Sequence, residues 1–176
     1  GDHHFIEENE IYENNWMGLY ILNSNNTMIS ENNIYLNMQS GINVLSSGKN
    51  CLFNQIINNR IWNNSIHGII MYSLTGNVSN TYIYNNIIEN HSVNGIHFNV
   101  NCNDNIISEN YVRENDIGIS MLNCFSNKIL ANNITNSHNE GIYLYYSDYN
   151  FFEHNTLQEN RHGISSYESQ GSKFID

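Results

Sequence analysis

Residues 25–45, NNTMISENNIYLNMQSGINVL, contain the pattern that decides the fold. Short apolar bursts are interrupted by asparagine, with Asn32 and Asn37 on either side of Ile34, and Gly41-Ile42 follows. The pattern returns along the chain, because a glycine followed by Ile or Leu occurs at Gly18, Gly41, Gly68, Gly95, Gly118, Gly141 and Gly163. The steps between these glycines are 23, 27, 27, 23, 23 and 22 residues. Repeats of this length are typical of a solenoid, in which each unit buries its apolar face against its neighbours.

The units share four apolar rows when they are aligned on the first asparagine of an Asn-x-Ile element, at Asn9, Asn32, Asn59, Asn85, Asn110, Asn132 and Asn155. Three residues before it stand Ile6, Ile29, Ile56, Tyr82, Ile107, Ile129 and Phe152. Two residues after it stand Ile11, Ile34, Ile61, Ile87, Val112, Ile134 and Leu157. The other two rows lie one and three residues after the glycine, as in Ile42 and Val44.

Apolar and polar residues alternate with period two around the glycine, which is the periodicity of a strand and not of a helix. One unit then forms three short strands joined by tight turns, and each strand lies parallel to its equivalent in the next unit, ~4.8 Å away. The crossover rule makes the coil right-handed. We therefore predict an all-β fold, a right-handed single-stranded parallel β-helix of about seven coils, in one domain over residues 1–176.

Asparagine recurs at fixed positions in each unit and is expected to stack in ladders at the corners of the coil. Asparagine tolerates left-handed backbone conformations and bonds to neighbouring backbone groups at turns. Five residues after the first asparagine stand Asn14, Asn37, Asn64, Asn90, Asn115 and Asn160, with Ser137 as the exception. Five residues before it stand Asn54, Asn80, Asn105, Asn127 and Asn150, with Thr27 in the second unit. An Asn-rich low-complexity segment would keep no such phase with isoleucine.

The charge balance excludes some classes of partner. The formal net charge is −11, with 17 acidic against 6 basic residues, whereas a nucleic-acid partner requires clustered Lys and Arg. No apolar run approaches the ~20 residues of a membrane-spanning helix, so we predict no membrane insertion. No secretory signal and no solenoid cap is visible at either end. We therefore expect a piece of a longer protein, with flanking domains or subunits at both ends.

Three cysteines, Cys51, Cys102 and Cys124, share one position of the repeat, where other units carry small residues. Cys102 and Cys124 fall on adjacent coils, about 5 Å apart and within disulfide range. Free thiols in a crowded corner and a Cys102–Cys124 disulfide both remain open.

The outward positions of the glycine strand are rich in Tyr, His and Asn, which suit the apolar faces and hydroxyl groups of sugar rings. The candidate substrate-binding residues are Tyr20, His67, Tyr72, His97, Tyr143, Tyr145 and Tyr167. The alternative is a sheet face that another domain or subunit covers.

Catalytic candidates are few. Glu140 and His162 share a row on adjacent coils with Tyr143 nearby, an arrangement that could serve general acid–base chemistry or be a simple cross-strand pair. A glycosidase needs a second carboxylate roughly 5–10 Å away, and none can be placed there. His67 and His97 are expected ~10 Å or more apart, so we predict no metal site and no cofactor.

Units such as NKILANNITNSHNEGIYLYYSDYN (residues 127–150) resemble the parallel β-helix repeats of carbohydrate-binding proteins and sugar hydrolases, in particular NosD-like, pectin-lyase-like surface proteins. The resemblance implies an exported protein, periplasmic or at the cell surface, often with a polysaccharide or glycan partner. The carboxylate-plus-basic catalytic motifs of the enzymes are not found. The resulting hypothesis is a noncatalytic carbohydrate-binding or surface-recognition module. The alternatives are a structural spacer, adhesin or surface-layer repeat; a lyase, epimerase or hydrolase with catalytic groups incomplete here; and a NosD-like copper-maturation factor.

Overall fold

The structure, a computed structural model, describes residues 2–176 and confirms the predicted β-helix. Every ladder pairs strands in parallel, and each strand pairs with its equivalent in the coils before and after it. The strands form three long sheets and one short sheet that together enclose a single apolar core. The described residues include no helix long and apolar enough to cross a bilayer.

The 25 strands follow one another coil by coil. The first four coils contain β1 (Phe5–Glu7), β2 (Glu10–Tyr12), β3 (Leu19–Leu22), β4 (Met28–Ser30), β5 (Asn33–Tyr35), β6 (Ile42–Ser47), β7 (Cys51–Leu52), β8 (Gln55–Ile57), β9 (Arg60–Trp62), β10 (His67–Thr75), β11 (Val78–Ser79), β12 (Tyr82–Tyr84), β13 (Ile87–Glu89) and β14 (Asn94–Asn99). The rest are β15 (Cys102–Asn103), β16 (Ile106–Ser108), β17 (Tyr111–Arg113), β18 (Ile117–Leu122), β19 (Lys128–Leu130), β20 (Asn133–Thr135), β21 (Glu140–Tyr145), β22 (Phe151–Glu153), β23 (Thr156–Gln158), β24 (His162–Tyr167) and β25 (Lys173–Ile175).

The glycine strands form one sheet, in the order β24-β21-β18-β14-β10-β6-β3, which we call the glycine sheet. The first lateral sheet runs from β1 through β4, β8, β12, β16, β19 and β22 to β25. The second lateral sheet runs from β2 through β5, β9, β13, β17 and β20 to β23, and β7, β11 and β15 form the short sheet. The middle residue of each three-residue lateral strand points inward, so that Ile29 and Ile34 belong to buried apolar columns.

Asparagine ladders turn the corners between these sheets, as the sequence predicts. In the ladder that contains Asn32 and Asn59, each side-chain amide nitrogen donates to the amide oxygen of the next coil at 2.9–3.0 Å. The same oxygen also accepts a backbone N–H from the previous coil. Because an unsatisfied buried amide would cost about 1–3 kcal/mol, this complete pairing is what allows amides inside the coil.

The sequence alignment is wrong by one residue in the fourth coil. Asn86, not Asn85, occupies the ladder, and Ile88, not Ile87, points inward. Ile88 is fully buried whereas Ile87 is 42% exposed. The same shift puts Ile83, Thr81 and His91 where the alignment has Tyr82, Asn80 and Asn90, and Val78 occupies the cysteine position of the repeat. A one-residue slip turns every side chain of a strand to the opposite face. The doublets Asn85-Asn86 and Ile87-Ile88 fit either of the two alignments, so the local sequence pattern does not distinguish them.

The repeat glycines allow coils to approach closely next to the asparagine ladder. A Cβ atom built on Gly95 would lie 2.6 Å from Val112 Cγ1, 2.8 Å from the backbone oxygen of Gly118 and 2.9 Å from Asn115 Nδ2. Real Cβ atoms do not approach other atoms this closely, so any other side chain would push the coils apart. The glycine strands therefore lie close against the neighbouring coils, and their outward residues fall in register from coil to coil.

A candidate ligand-binding face on the glycine sheet

The outer face of the glycine sheet carries all seven residues that the sequence proposes for ligand binding. They fall in three rows that run along the solenoid axis. The row before the glycine contains His67, Asn94, Ile117, Glu140 and His162. The row two residues after it contains Tyr20, Asn43, Ile70, His97, Ser120, Tyr143 and Ser165. The row four residues after it contains Leu22, Leu45, Tyr72, Asn99, Leu122, Tyr145 and Tyr167.

An N-terminal aromatic patch stands at one end of this face. Trp16, Met17, Tyr20 and Tyr72 line a shallow pocket of about 270 Å³. Trp16 is 68% exposed, although large aromatic side chains are usually buried. Burial and the neighbouring Tyr72 raise the pKa of Tyr20, so its hydroxyl stays protonated and can donate a hydrogen bond. The sequence interpretation missed Trp16, whose only signal is its place two residues before the glycine.

A central polar floor lies next to this patch and consists of Asn43, His67, Asn94 and His97. Asn43, Asn94 and His97 are each more than nine-tenths buried although they point outward. The Oδ1 atoms of both asparagines and the Nδ1 atoms of both histidines have no hydrogen-bond partner among residues 2–176. The Asn43 amide nitrogen lies 3.6 Å from the sulfur of Met17. Buried polar atoms are nearly always paired in native proteins, so four such atoms together mark a place where a ligand could supply the missing partners.

The two histidines are much closer than the sequence interpretation expects. The rings of His67 and His97 stack with centroids 5.1 Å apart and an interplanar angle of 19°, which corrects the expected separation of about 10 Å. The backbone positions are separated as expected, and the side chains lean towards each other across the strand. Burial, with a contribution from the other histidines, lowers the pKa of His67 to about 3, and burial lowers that of His97 to about 4. Both rings are therefore neutral at pH 7.

A C-terminal aromatic patch stands at the other end of the face, formed by Tyr143, Tyr145, Tyr146 and Tyr167. Tyr145 stacks on Tyr167 with ring centroids 5.4 Å apart, and Tyr146 packs edge-on against Tyr145 at 4.5 Å. Tyr143 lies 6.5 Å from Tyr145 in a nearly parallel orientation. Tyr146 adopts a left-handed conformation with φ of 47°, at a turn position that Asn123 occupies in the previous coil. The sequence interpretation missed Tyr146 because this residue lies in a turn, outside the outward rows of the glycine strands.

The structure brings Glu140 and His162 together but does not assemble a Glu–His–Tyr group. His162 Nδ1 lies 3.6 Å from Glu140 Oε1, beyond the usual range of a hydrogen bond. The same carboxylate oxygen accepts a hydrogen bond of 3.4 Å from the Ser165 hydroxyl. Tyr143 stacks on Tyr145 instead. The geometry is that of a cross-strand pair at the surface.

The three cysteines are free and buried in the described chain. Burial, together with the neighbouring Cys124 thiol, raises the pKa of Cys102 well above its ordinary value. The Cys102 thiol is therefore protonated and unreactive at neutral pH. Among residues 2–176, no group of three or more His, Cys, Asp and Glu side chains could hold a metal ion.

Fold and face together define a right-handed parallel β-helix protein with a candidate ligand-binding surface on one sheet. Comparison with protein families agrees: the family described as "Right handed beta helix region" matches residues 1–116, and the family described as "Periplasmic copper-binding protein (NosD)" matches residues 69–176. Each match covers more than half of the chain, and the chain therefore belongs to the right-handed β-helix and NosD families. The search of curated proteins gave no match.

Solved structures show the same fold at low sequence identity. A mutant of the periplasmic alginate epimerase AlgG superposes with a TM-score of 0.84 at 17% identity, over 98% of this chain and 50% of that one. The A-module of the Azotobacter vinelandii mannuronan C-5 epimerase AlgE6 gives a TM-score of 0.79 at 12% identity, over 99% and 57%. The Streptococcus pneumoniae surface protein and adhesin PfbA gives 0.54 at 12% identity, over 99% and 67%. The chain thus spans about half the length of the epimerases that it matches.

Proposed function

We propose that this protein is a noncatalytic carbohydrate-binding module of an exported protein and that it binds a glycan on the outer face of the glycine sheet. The observation that carries the proposal is the arrangement of this face. Two aromatic patches flank a floor of buried polar atoms that lack partners. Aromatic rings can pack against the apolar faces of sugar rings, and unpartnered polar atoms can bond to their hydroxyl groups.

The spacing of the patches suits an extended ligand that lies along the solenoid axis. Tyr72 belongs to the third coil and Tyr145 to the sixth, so that they lie ~14 Å apart along the axis at ~4.8 Å per coil. Tyr20 in the first coil and Tyr167 in the seventh are ~29 Å apart. An oligosaccharide of several residues could contact both patches and cover the floor between them.

The residues of the face support the noncatalytic part of the proposal. Glycoside hydrolysis uses two carboxylates on either side of the scissile bond. Glu140 is the one carboxylate in the three outward rows of the described glycine sheet. One of its oxygens accepts a hydrogen bond from Ser165 and lies 3.6 Å from His162 Nδ1.

An exported location is supported by the relatives. The family description and the name of the AlgG epimerase both include the word periplasmic, and PfbA is named as a surface protein and adhesin. A net charge of −11 disfavours binding to anionic membrane surfaces.

Glycan-array screening followed by calorimetry tests the proposal. Tyr145→Ala should weaken binding about tenfold or more, because Tyr145 contacts three other tyrosines of its patch. The matched control is Tyr12→Ala, since Tyr12 is a half-exposed, stacked tyrosine on the second lateral sheet. Its binding should equal that of the wild type. Absence of any glycan ligand, or equal binding by the wild type and Tyr145→Ala, would contradict the proposal.

A second candidate function is copper binding, which the family description names and which the stacked histidines favour. Neutral imidazole is a good ligand for copper, and both Nδ1 atoms lack partners among the described residues. Competition with a Cu(I) chelator should show one site in the wild type and none after His67→Ala combined with His97→Ala. The exposed His154→Ala serves as the control and should keep the site. Copper binding that survives the double substitution would refute this assignment.

A further inference from the structure

Lysine and arginine are absent from the three outward rows of the described glycine sheet, which bears on the charge of the ligand. Lys128 and Lys173 belong to the first lateral sheet, and Arg60 and Arg113 to the second. Lys49 lies in the turn after β6. The rows themselves contain Glu140, and the chain as a whole has a formal charge of −11.

The two arginines of the second lateral sheet are already engaged. Arg60 donates to Glu89 at 3.0 Å, and Arg113 donates to its other oxygen at 2.7 Å. Burial opposes ionisation of Glu89, but the hydrogen bonds from Arg113 and Arg60 prevail and lower its pKa. The carboxylate therefore stays ionised and holds both guanidinium groups on that sheet.

Arg161 stands at the border of the face, beside His162. Its guanidinium donates to Asn139 Oδ1 at 3.2 Å, and the Asn139 amide donates to Asp116 at 2.8 Å. Asp116 thus bonds to the Asn139 amide and not to the exposed Arg161, which lies at the edge of the last coil outside the three outward rows. An acidic sugar is normally held by a guanidinium or ammonium group that pairs with its carboxylate, and the three outward rows contain none.

The unpartnered atoms of the polar floor point to the same ligand chemistry. The Oδ1 atoms of Asn43 and Asn94 can only accept hydrogen bonds. An ionised carboxylate is also acceptor-only, so it cannot satisfy them. A sugar hydroxyl donates one hydrogen bond and accepts others, and so it can pair both with these oxygens and with either tautomer of a neutral histidine.

We propose that the face binds an uncharged, hydroxyl-rich glycan, with hydroxyl groups donating to Asn43 and Asn94 and bonding to His67 and His97, and that it binds polyuronates more weakly. This inference rests on the carbohydrate-binding function proposed above. The aromatic patches hold the sugar rings, and the floor selects hydroxyl groups over carboxylates.

The test compares neutral with acidic oligosaccharides of equal length on the same protein. Neutral gluco- and manno-oligosaccharides should bind at least tenfold more tightly than oligomers of mannuronate or galacturonate. Any residual binding of the acidic oligomers should strengthen as salt is added, because screening weakens their repulsion by the acidic chain. Tighter binding of an acidic oligomer, with an affinity that falls as salt rises, overturns the inference but leaves a carbohydrate-binding function standing. No binding of either class overturns the proposed function itself.

Two variants locate the selectivity. His97→Phe keeps an aromatic ring beside His67 but removes both nitrogens, and it should weaken binding of the neutral oligosaccharide about tenfold. Asn94→Leu removes an acceptor and should have a similar effect. Asn33→Leu, on the second lateral sheet, is the control and should bind like the wild type. Circular dichroism establishes that each variant is folded; if Asn94→Leu is not, His97→Phe decides. Unchanged affinity in a folded His97→Phe variant contradicts the assignment of the floor.

Discussion

The inward and outward rows of the glycine sheet belong to the same strands but differ in how far their residue types vary from coil to coil. One residue after the glycine, the inward row reads Leu19, Ile42, Ile69, Ile96, Ile119, Ile142 and Ile164. The next position, which points outward, reads Tyr20, Asn43, Ile70, His97, Ser120, Tyr143 and Ser165. An inward side chain packs on its own equivalent in the next coil, and so the close-packed core fixes its size and shape. Core packing does not constrain the outward side chains, so these positions can vary and can provide the contacts to a ligand.

The same contrast separates two groups of asparagines. The amide nitrogen of Asn110 donates to Asn132, to the backbone oxygen of Ile83 and to that of Ser108, all at 3.0 Å. Asn94 is equally buried, yet its oxygen has no partner among the described residues. An amide in the ladder thus makes its hydrogen bonds within the protein, whereas an amide in the polar floor keeps an acceptor that a ligand could use.

The largest expected effect is on stability and follows from the ladder. Asn110→Leu should lower the free energy of unfolding by roughly 3–5 kcal/mol, because it leaves several buried backbone and side-chain groups unpaired. Asn33→Leu should change it by less than about 1 kcal/mol, since Asn33 is half-buried and bonds only to the surface residue Glu10. Denaturant titration of both variants measures the difference. Equal midpoints would show that the inward and outward asparagines are energetically alike.

A smaller loss of stability is expected at the repeat glycines. Gly95→Ala should destabilise by about 1–3 kcal/mol, because the added methyl group would overlap Val112 and the backbone of Gly118. Gly163→Ala is a matched control in the last coil, where the nearest atom to the new Cβ is Leu157 Cδ1 at 4.0 Å. It should have little effect. Thermal unfolding of the pair tests whether close approach of the coils, and not glycine itself, is what the repeat requires.

The sequence predicts the stacked columns of side chains well because each structural position recurs once in every repeat unit. The seven units together predict the strands, the corners and the outward rows. In six of the units, the alignment also identifies correctly which residues point inward. The fourth fails where Asn85-Asn86 and Ile87-Ile88 allow two alignments, and burial of Ile88 decides between them. The 27-residue step from Gly68 to Gly95 also separates Asn59 from Asn86, which is a signal that the sequence does contain.

The candidate site is less predictable because it depends on where outward side chains lean. Sequence spacing places the backbones of His67 and His97 correctly but cannot give the rotamers that stack their rings. Trp16 and Tyr146 join the two aromatic patches from turns, which lie outside the alternating pattern of the strands. Periodicity therefore identifies the face, and only the three-dimensional packing identifies its pockets.

The next prediction concerns His91, the histidine that replaces an asparagine in a corner ladder. Its Nδ1 accepts the backbone N–H of Asn64 at 3.2 Å, and its Nε2 has no partner among residues 2–176. Burial lowers its pKa to about 4, although hydrogen bonds and Glu89 oppose the shift. The folded protein keeps the ring neutral while the unfolded chain protonates it below about pH 6.5. Stability should therefore fall as pH decreases from about 6.5 to 4, by up to about 1.4 kcal/mol per pH unit for this residue.

His91→Asn restores the ladder and should reduce that acid sensitivity, leaving the contributions of the two histidines on the outer face. Relative to the wild type, the variant should gain about 1–2 kcal/mol on going from pH 7 to pH 5. His154→Asn is the control, since its exposed ring meets solvent in both states. Urea titrations at the two pH values measure the effect. A pH dependence identical to that of the wild type would show that His91 is not held neutral by the interior.

The smallest effect is expected on the outer face, for the pair formed by Glu140 and His162. The His162 side chain is 56% exposed and its nitrogen lies 3.6 Å from the carboxylate, so solvent screens the attraction. A double-mutant cycle with Glu140→Gln and His162→Asn at pH 6 should give a coupling energy below about 1 kcal/mol. Cross-strand pairs at a surface are worth this little because they give up side-chain entropy for a screened contact. A coupling of several kcal/mol would mean that the outer face is as tightly organised as the interior, and it would revive an acid–base role for these two residues.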